Sequence, residues 1–195
     1  LRRPFHMKSK AERELNRLDG VIAPILTPFD SNGAIVRSLW VEHAQWVLEE
    51  GAHYLSPFGT TGEALSISVD ERKCALEWLV DAGIPPERLI PGTGLTALPE
   101  TVSLTSHALA LGCPGVMTLP PFFFTAATED GLVRYFSDLI EQVQRWNPII
   151  CLYHIPQNTG VQVSAALTRR LVTLFPESIR AYKDSGGVWE HTMSI

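Results

Sequence analysis

The sequence predicts an α/β fold built on a parallel sheet, and three observations carry that expectation. Short apolar runs of strand length alternate with segments of about 10–15 residues whose apolar positions recur at helical spacing. Glycine, proline or a capping pattern punctuates the junctions. The 195 residues are 45% hydrophobic and 19% charged, which excludes wholesale disorder and leaves enough chain for a sizeable core.

Residues 1–19 differ from the rest. They carry Arg2, Arg3, Lys8, Lys10, Arg13 and Arg17 against Glu12, Glu14 and Asp19, with neither the apolar core nor the cleavage site of a secretory signal. They read as a basic, solvated, partly helical extension, and residues 20–195 as the fold proper. Gly20-Val-Ile-Ala-Pro-Ile-Leu-Thr-Pro-Phe29 is the first apolar run. A helix over 38–50 follows, with Leu39, Trp40, Ala44, Val47 and Leu48 in phase and Gly51 beyond its end. His53-Tyr-Leu-Ser-Pro-Phe58 is the second strand. Ser68-Val-Asp-Glu71 forms a capping box that opens a helix to about Asp81. Leu89-Ile-Pro-Gly-Thr-Gly94 is the third strand and its turn, and a helix spans 99–111. Residues 115–119 are the fourth strand, followed by a long helix over 129–146 with Leu132, Phe136, Leu139, Ile140 and Val143 on one face. Residues 148–153 and 179–183 give strands five and six, with a helix over 164–175 between them.

This alternation implies right-handed βαβ units. A doubly wound open sheet and a (β/α)₈ barrel both satisfy it. Gly92-Thr-Gly94 lacks the third glycine and the following helix of a dinucleotide fingerprint. The net charge of −5 argues against a nucleic-acid binder, and the absence of a long apolar run against a membrane span. Three scattered cysteines, Cys74, Cys113 and Cys151, suit a reducing cytoplasm.

In either architecture chemistry belongs at the carboxyl ends of the strands. There stand Thr27, then Gly59-Thr-Thr-Gly-Glu63, Gly92-Thr-Gly94, Pro120-Pro-Phe-Phe-Phe124, Tyr153 with His154, and Lys183-Asp-Ser-Gly186. Residues 59–62 suit either a tight turn or an anion nest of bare N–H groups. Lys183 ends an apolar strand, where an ammonium must reach solvent or have a function; a desolvated lysine is a nucleophilic amine. Tyr153, on the strand before it, is a candidate proton relay, and the opposite parity of His154 turns that side chain towards the helices. His43, His53 and His107 make no metal-binding spacing with an acidic residue.

Taken in order, five of these segments resemble the class I, pyruvate-dependent aldolases and lyases that include dihydrodipicolinate synthase and N-acetylneuraminate lyase. They are Gly20 to Phe29, Gly59-Thr-Thr-Gly-Glu63, Gly92-Thr-Gly94, Leu152-Tyr-His-Ile-Pro156 with Thr159-Gly160, and Lys183-Asp-Ser-Gly186. The resemblance implies a (β/α)₈ TIM barrel, of which this chain carries about six strands. It implies Lys183 as the Schiff-base lysine for pyruvate or a related 2-keto acid, Tyr153 as general acid/base and Thr60 as its hydroxyl partner. Thr61, with the backbone of Gly59 and Gly62, would cradle the keto-acid carboxylate. No metal or organic cofactor is implied. The partners are the keto acid and an aldehyde, and a homo-oligomer, dimer or tetramer, is expected of the full-length protein.

Two departures from the family pattern bear on the reaction. Asn158 stands where dihydrodipicolinate synthases carry an arginine for the aldehyde's carboxylate, and Phe122-Phe-Phe124 stands where they present a tyrosine pair. The sequence therefore predicts pyruvate-imine chemistry with poor dihydrodipicolinate synthase activity. A keto-deoxy sugar-acid aldolase or dehydratase is the alternative, and a catalytically silent keto-acid-binding paralogue the rival. The phenylalanine run, with Pro120 and Pro121, is read as a substrate wall or a subunit contact, with the contact favoured. With six strands where a barrel has eight and typically ~250 residues, the sheet is expected to be C-shaped, with Lys183 unusually exposed.

Overall fold

The computed structural model describes residues 18–195, so the basic extension expected over 1–19 lies almost wholly outside the described residues. The elements are β1 (Ile22–Pro24), α1 (Arg37–Glu49), β2 (Tyr54–Ser56), α2 (Val69–Asp81), α3 (Leu98–Ala110), β3 (Gly115–Thr118) and α4 (Glu129–Val143). There follow β4 (Ile149–His154), the short α5 (Pro156–Thr159), α6 (Ala165–Leu174), β5 (Ile179–Asp184) and the short α7 (Trp189–Thr192). All pairs of these strands are parallel: β1 with β2, β3 with β4, and β4 with β5.

The third predicted strand is not a regular one. Residues 89–93 lie between β2 and β3 and join the two sheets through isolated bridges, Leu55 with Leu89 and Gly92 with Met117. Ile90 N–H donates to the Leu55 carbonyl (2.8 Å), Gly92 N–H to that of Pro57 (2.8 Å) and Thr93 N–H to that of Met117 (3.0 Å). Pro91 has no N–H to continue the ladder but accepts from Met117 N–H at 2.9 Å. The predicted first strand also contracts, to the three residues before Ile25, because Pro24 and Pro28 cannot donate.

The result is a six-segment arc in chain order, part of a (β/α)₈ barrel. Among the described residues β1 and β5 do not pair, so the arc stays open as expected. The capping box that the sequence predicts at Ser68 is present. Ser68 Oγ accepts from Glu71 N–H and Glu71 answers at Ser68 N–H (3.0 Å), while Thr128 and Ser164 cap α4 and α6.

β4 is buried along its whole length, so its two faces lie in two cores. Ile150 and Leu152 face outward into the helix layer with Trp40, Leu55, Leu79, Phe136 and Leu167. Cys151 and Tyr153 face inward with Ile90, Met117 and Ile155, and Leu18 packs against this inner group. A bulge interrupts the pairing of β4 with β5. Ile150 pairs with Ile179, but Cys151 pairs with Ala181, leaving Arg180 as the extra residue. Beyond it the register brings Tyr153 beside Lys183.

Candidate active site

The predicted catalytic residues meet at the carboxyl ends of β2, β4 and β5. Tyr153 is buried, and its hydroxyl lies 3.3 Å from Thr60 Oγ1, which the loop after β2 delivers from 93 positions away in sequence. Lys183, half-buried, lays its ammonium over the Tyr153 ring, 4.3 Å from the centroid. Burial pushes the Tyr153 phenol up, but hydrogen bonds from Thr60 and Ser185 and the nearby Lys183 ammonium outweigh it and hold the phenol below its ordinary value. A phenol eased in this way exchanges a proton with a neighbouring amine more readily than a free tyrosine does. Two residues earlier on the same face, burial drives the Cys151 thiol up to about 11 despite the opposing pull of Lys183, leaving it a poor nucleophile.

The loop over residues 59–63 is held from several sides. Phe58 and Glu63 bracket it with left-handed φ of 60° and 53°, values that cost free energy in non-glycine residues. Thr27 Oγ1 donates to the Gly62 carbonyl at 2.8 Å, in a buried bond. Arg72, buried on α2, donates through Nε to the Ile67 carbonyl at 3.2 Å and through its second nitrogen to that of Ala64. Burial lowers the Arg72 guanidinium to about 10, partly offset by Glu100. Gly62 is confined by contact: a Cβ there would stand 2.9 Å from the Ile25 carbonyl oxygen. A Cβ on Gly92 would strike the Phe58 carbonyl, so the Gly92-Thr-Gly94 turn serves close backbone approach.

A cavity of about 190 Å³ opens beside Tyr153. Gly59, Thr60 and Asn158 line it; Thr61 is exposed and Gly62 buried, and neither reaches the wall. Lys183 lines a second space of about 570 Å³ inside the arc, with Cys151, Ile22 and Ile90. Met117 is common to both.

The phenylalanine run divides rather than acting as one contact. Phe122 is part of the cavity wall, whereas Phe123 and Phe124 are 82% and 57% exposed. Their intervening backbone turns at Phe123, with φ of 74°. His154 faces the helices as its parity requires, accepting from Val163 N–H at 3.2 Å and stacking on His191. Among the described residues no three His, Cys, Asp or Glu side chains cluster for a metal. No described helix is long and apolar enough to cross a membrane.

Thr27, Arg72 and Ser185 are the supporting residues that sequence reasoning assigned no role. Thr27 and Ser185 carried a signal, standing in strand tails; Arg72 carried none, since a single arginine within a polar helix reads as solvated.

A parallel βα arc with its polar groups gathered at the carboxyl ends of the strands defines part of a TIM barrel. The model of the dihydrodipicolinate synthetase family matches residues 17–195, and the chain belongs to that family. It is 34% identical over 177 residues to a DapA-like lyase of Chloroflexus aurantiacus, covering 90% of this chain and 58% of that protein. Among solved structures it resembles dihydrodipicolinate synthase of Agrobacterium tumefaciens, with 32% identity and a TM-score of 0.87 over 90% of this chain and 61% of that one. It also resembles a prophage protein of the same family from Escherichia coli, solved in complex with pyruvate. That likeness has 26% identity and a TM-score of 0.80, covering 91% of this chain and 58% of that one. The chain spans about half the length of the curated relatives it matches.

Proposed function

We propose that the protein is a class I lyase or aldolase, forming an imine between Lys183 and pyruvate or a related 2-keto acid. The observation that carries this reading is the constellation itself: an amine on the face of a phenol whose hydroxyl meets a threonine hydroxyl at 3.3 Å. Lys183 Nζ attacks the keto carbon, and Tyr153, backed by Thr60, moves the protons that turn the carbinolamine into an imine. The protonated imine then acts as an electron sink, so the adjacent methyl group loses a proton and the enamine adds to an aldehyde. Lysine supplies the sink, so the route calls on no metal or organic cofactor. In this reading the bare N–H groups of the loop over residues 59–62 take the keto-acid carboxylate, with Thr61 on its outer side, and Asn158 faces the second substrate.

The wider setting belongs to the same proposal. Exposed Phe123 and Phe124 support self-association. Three free cysteines support a reducing, cytoplasmic setting, and the small acidic net charge supports a small-molecule partner rather than nucleic acid.

The test is reduction of the full chain with borohydride in the presence of pyruvate. The expected result is one adduct on the peptide carrying Lys183. An adduct on Lys73, or none, overturns the assignment.

A further inference from the structure

We infer that the second substrate is a small uncharged aldehyde with an apolar, preferably aromatic, substituent; this deepens the imine reading and rests on it. The argument starts from the wall of the 190 Å³ cavity. Among the described residues that form it there is no lysine, arginine or histidine, and the one carboxylate, Glu63, is exposed at the rim. An aldehyde bearing a carboxylate would meet no counter-charge on this wall and would face a like charge at its edge. Lys183 does not supply the missing cation, because its amine is consumed in the imine and the attacking enamine is neutral.

A polyhydroxylated aldehyde fares little better. The Thr60 and Tyr153 hydroxyls are engaged with each other, and Thr159 Oγ1 is spent on the Ile155 carbonyl (3.1 Å) and on Val161 N–H (3.2 Å). Asn158 and Ser66, both exposed, remain as neutral polar groups near the mouth. Hydroxyls carried past them would lose water without gaining partners. The interior surface is instead Met117, Leu119, Phe122 and Ile155. Phe122 presents an aromatic side chain with no hydroxyl, and aromatic pairs add a geometric preference to simple burial. The volume, on the order of six waters' share of liquid, admits only a small partner.

The step balances without an oxidant. Lys183 Nζ condenses with the pyruvate keto carbon and releases water, and a methyl proton leaves to give the enamine. The enamine carbon bonds to the aldehyde carbon, the C=O π pair moves to oxygen, and that oxygen takes a proton through Tyr153. Water hydrolyses the iminium, returning the amine and releasing a 4-hydroxy-2-keto acid with the apolar group on C4.

The experiment gives the purified full chain pyruvate with benzaldehyde, succinic semialdehyde or glyceraldehyde, and follows the keto-acid product. Benzaldehyde is expected to show kcat/KM at least tenfold above either other aldehyde, and Asn158→Arg to raise turnover of succinic semialdehyde at least tenfold. Equal or faster use of succinic semialdehyde or glyceraldehyde, with the borohydride adduct still forming, overturns the aldehyde class and leaves the imine reading intact. A second measurement needs no chemistry: binding of benzyl alcohol against 4-hydroxybutyrate, read by ligand NMR without pyruvate. Preference for benzyl alcohol, lost in Phe122→Ala, supports the apolar site even where no imine can be trapped, in which case the imine reading alone falls. No preference overturns the inference.

Discussion

The two faces of the arc are packed to different degrees. Its outer face meets five long helices, and Trp40, Leu55, Leu79, Phe136, Ile150 and Leu152 are all sealed there. The Trp40 indole N–H is paired as well, donating to the Ala75 carbonyl at 2.9 Å. Among the described residues its inner face holds five buried apolar residues and borders a space of about 570 Å³. The difference follows from how each core is assembled. Every βα unit brings the helix that covers its own strand, so the outer core closes locally. The interior of a barrel is filled in layers by side chains from strands all round the ring. The chemistry-bearing groups sit on this less consolidated face.

That contrast predicts which substitutions damage activity and which damage stability. Lys183→Ala should reduce turnover by at least ~10³-fold, because among the described residues no other amine stands on the Tyr153 ring. Its urea midpoint should barely move, and a large loss of stability would show that the inner face is as structural as the outer one. Phe136→Ala should do the reverse. It should cost about 3–5 kcal/mol by denaturant titration while the folded fraction still traps pyruvate.

Tyr153→Phe keeps the ring under Lys183 and removes only the hydroxyl. Imine formation, timed by borohydride quench, should slow by ~10²–10⁴-fold with stability nearly unchanged. Arg72→Met sharpens the comparison at the border between the faces. It leaves the Ile67 carbonyl without its side-chain donor and the Ala64 carbonyl with the Ile67 N–H alone, a loss of about 1–3 kcal/mol. The loop over residues 59–63 should loosen with it, raising KM for pyruvate more than it lowers kcat.

The smallest effect is a pH dependence drawn from both faces. Burial raises Cys151 on the inner face to about 11 and Cys113 in the outer core to about 12. Unfolding exposes thiols that titrate near 9, so above that pH the unfolded chain binds fewer protons than the folded one and stability falls as pH rises. Each group contributes on the order of 2–4 kcal/mol at most. Urea midpoints should be level between about pH 7 and 8 and decline from pH 9 to 11. Cys113→Val should flatten that decline, and an unchanged slope would contradict the burial assigned to this thiol.

Much of this arrangement was legible in the sequence, for reasons particular to each element. The runs at 115–119 and 148–153 were readable because a strand covered on both faces is apolar throughout. Residues 89–94 were harder, since their role is to bridge two sheets with a proline in the middle, and bridging is decided by neighbours distant in sequence. Lys183, Tyr153 and Thr60 were legible because strand ends collect a barrel's chemistry. The sorting of Thr60 onto the cavity and Thr61 away from it was not, because adjacent residues of one type differ only in the backbone angles of the turn. Arg72 was hidden by chemistry that satisfies carbonyls rather than a charged partner.

The bulge at Arg180 gives strand length itself a chemical meaning. With the extra residue, Lys183 projects into the arc and Tyr182 turns outward, where its hydroxyl donates to the Val163 carbonyl at 2.7 Å. Pairing the same residues regularly, with Arg180 opposite Cys151 and Ile179 held opposite Ile150, would exchange the two. A phenol would then stand beside Tyr153, and the amine would be driven among the helices, where an ammonium has no partner. The group proposed to react is therefore specified by counting as well as by residue type. A graft of its site onto another barrel would have to carry the irregular strand along with the lysine.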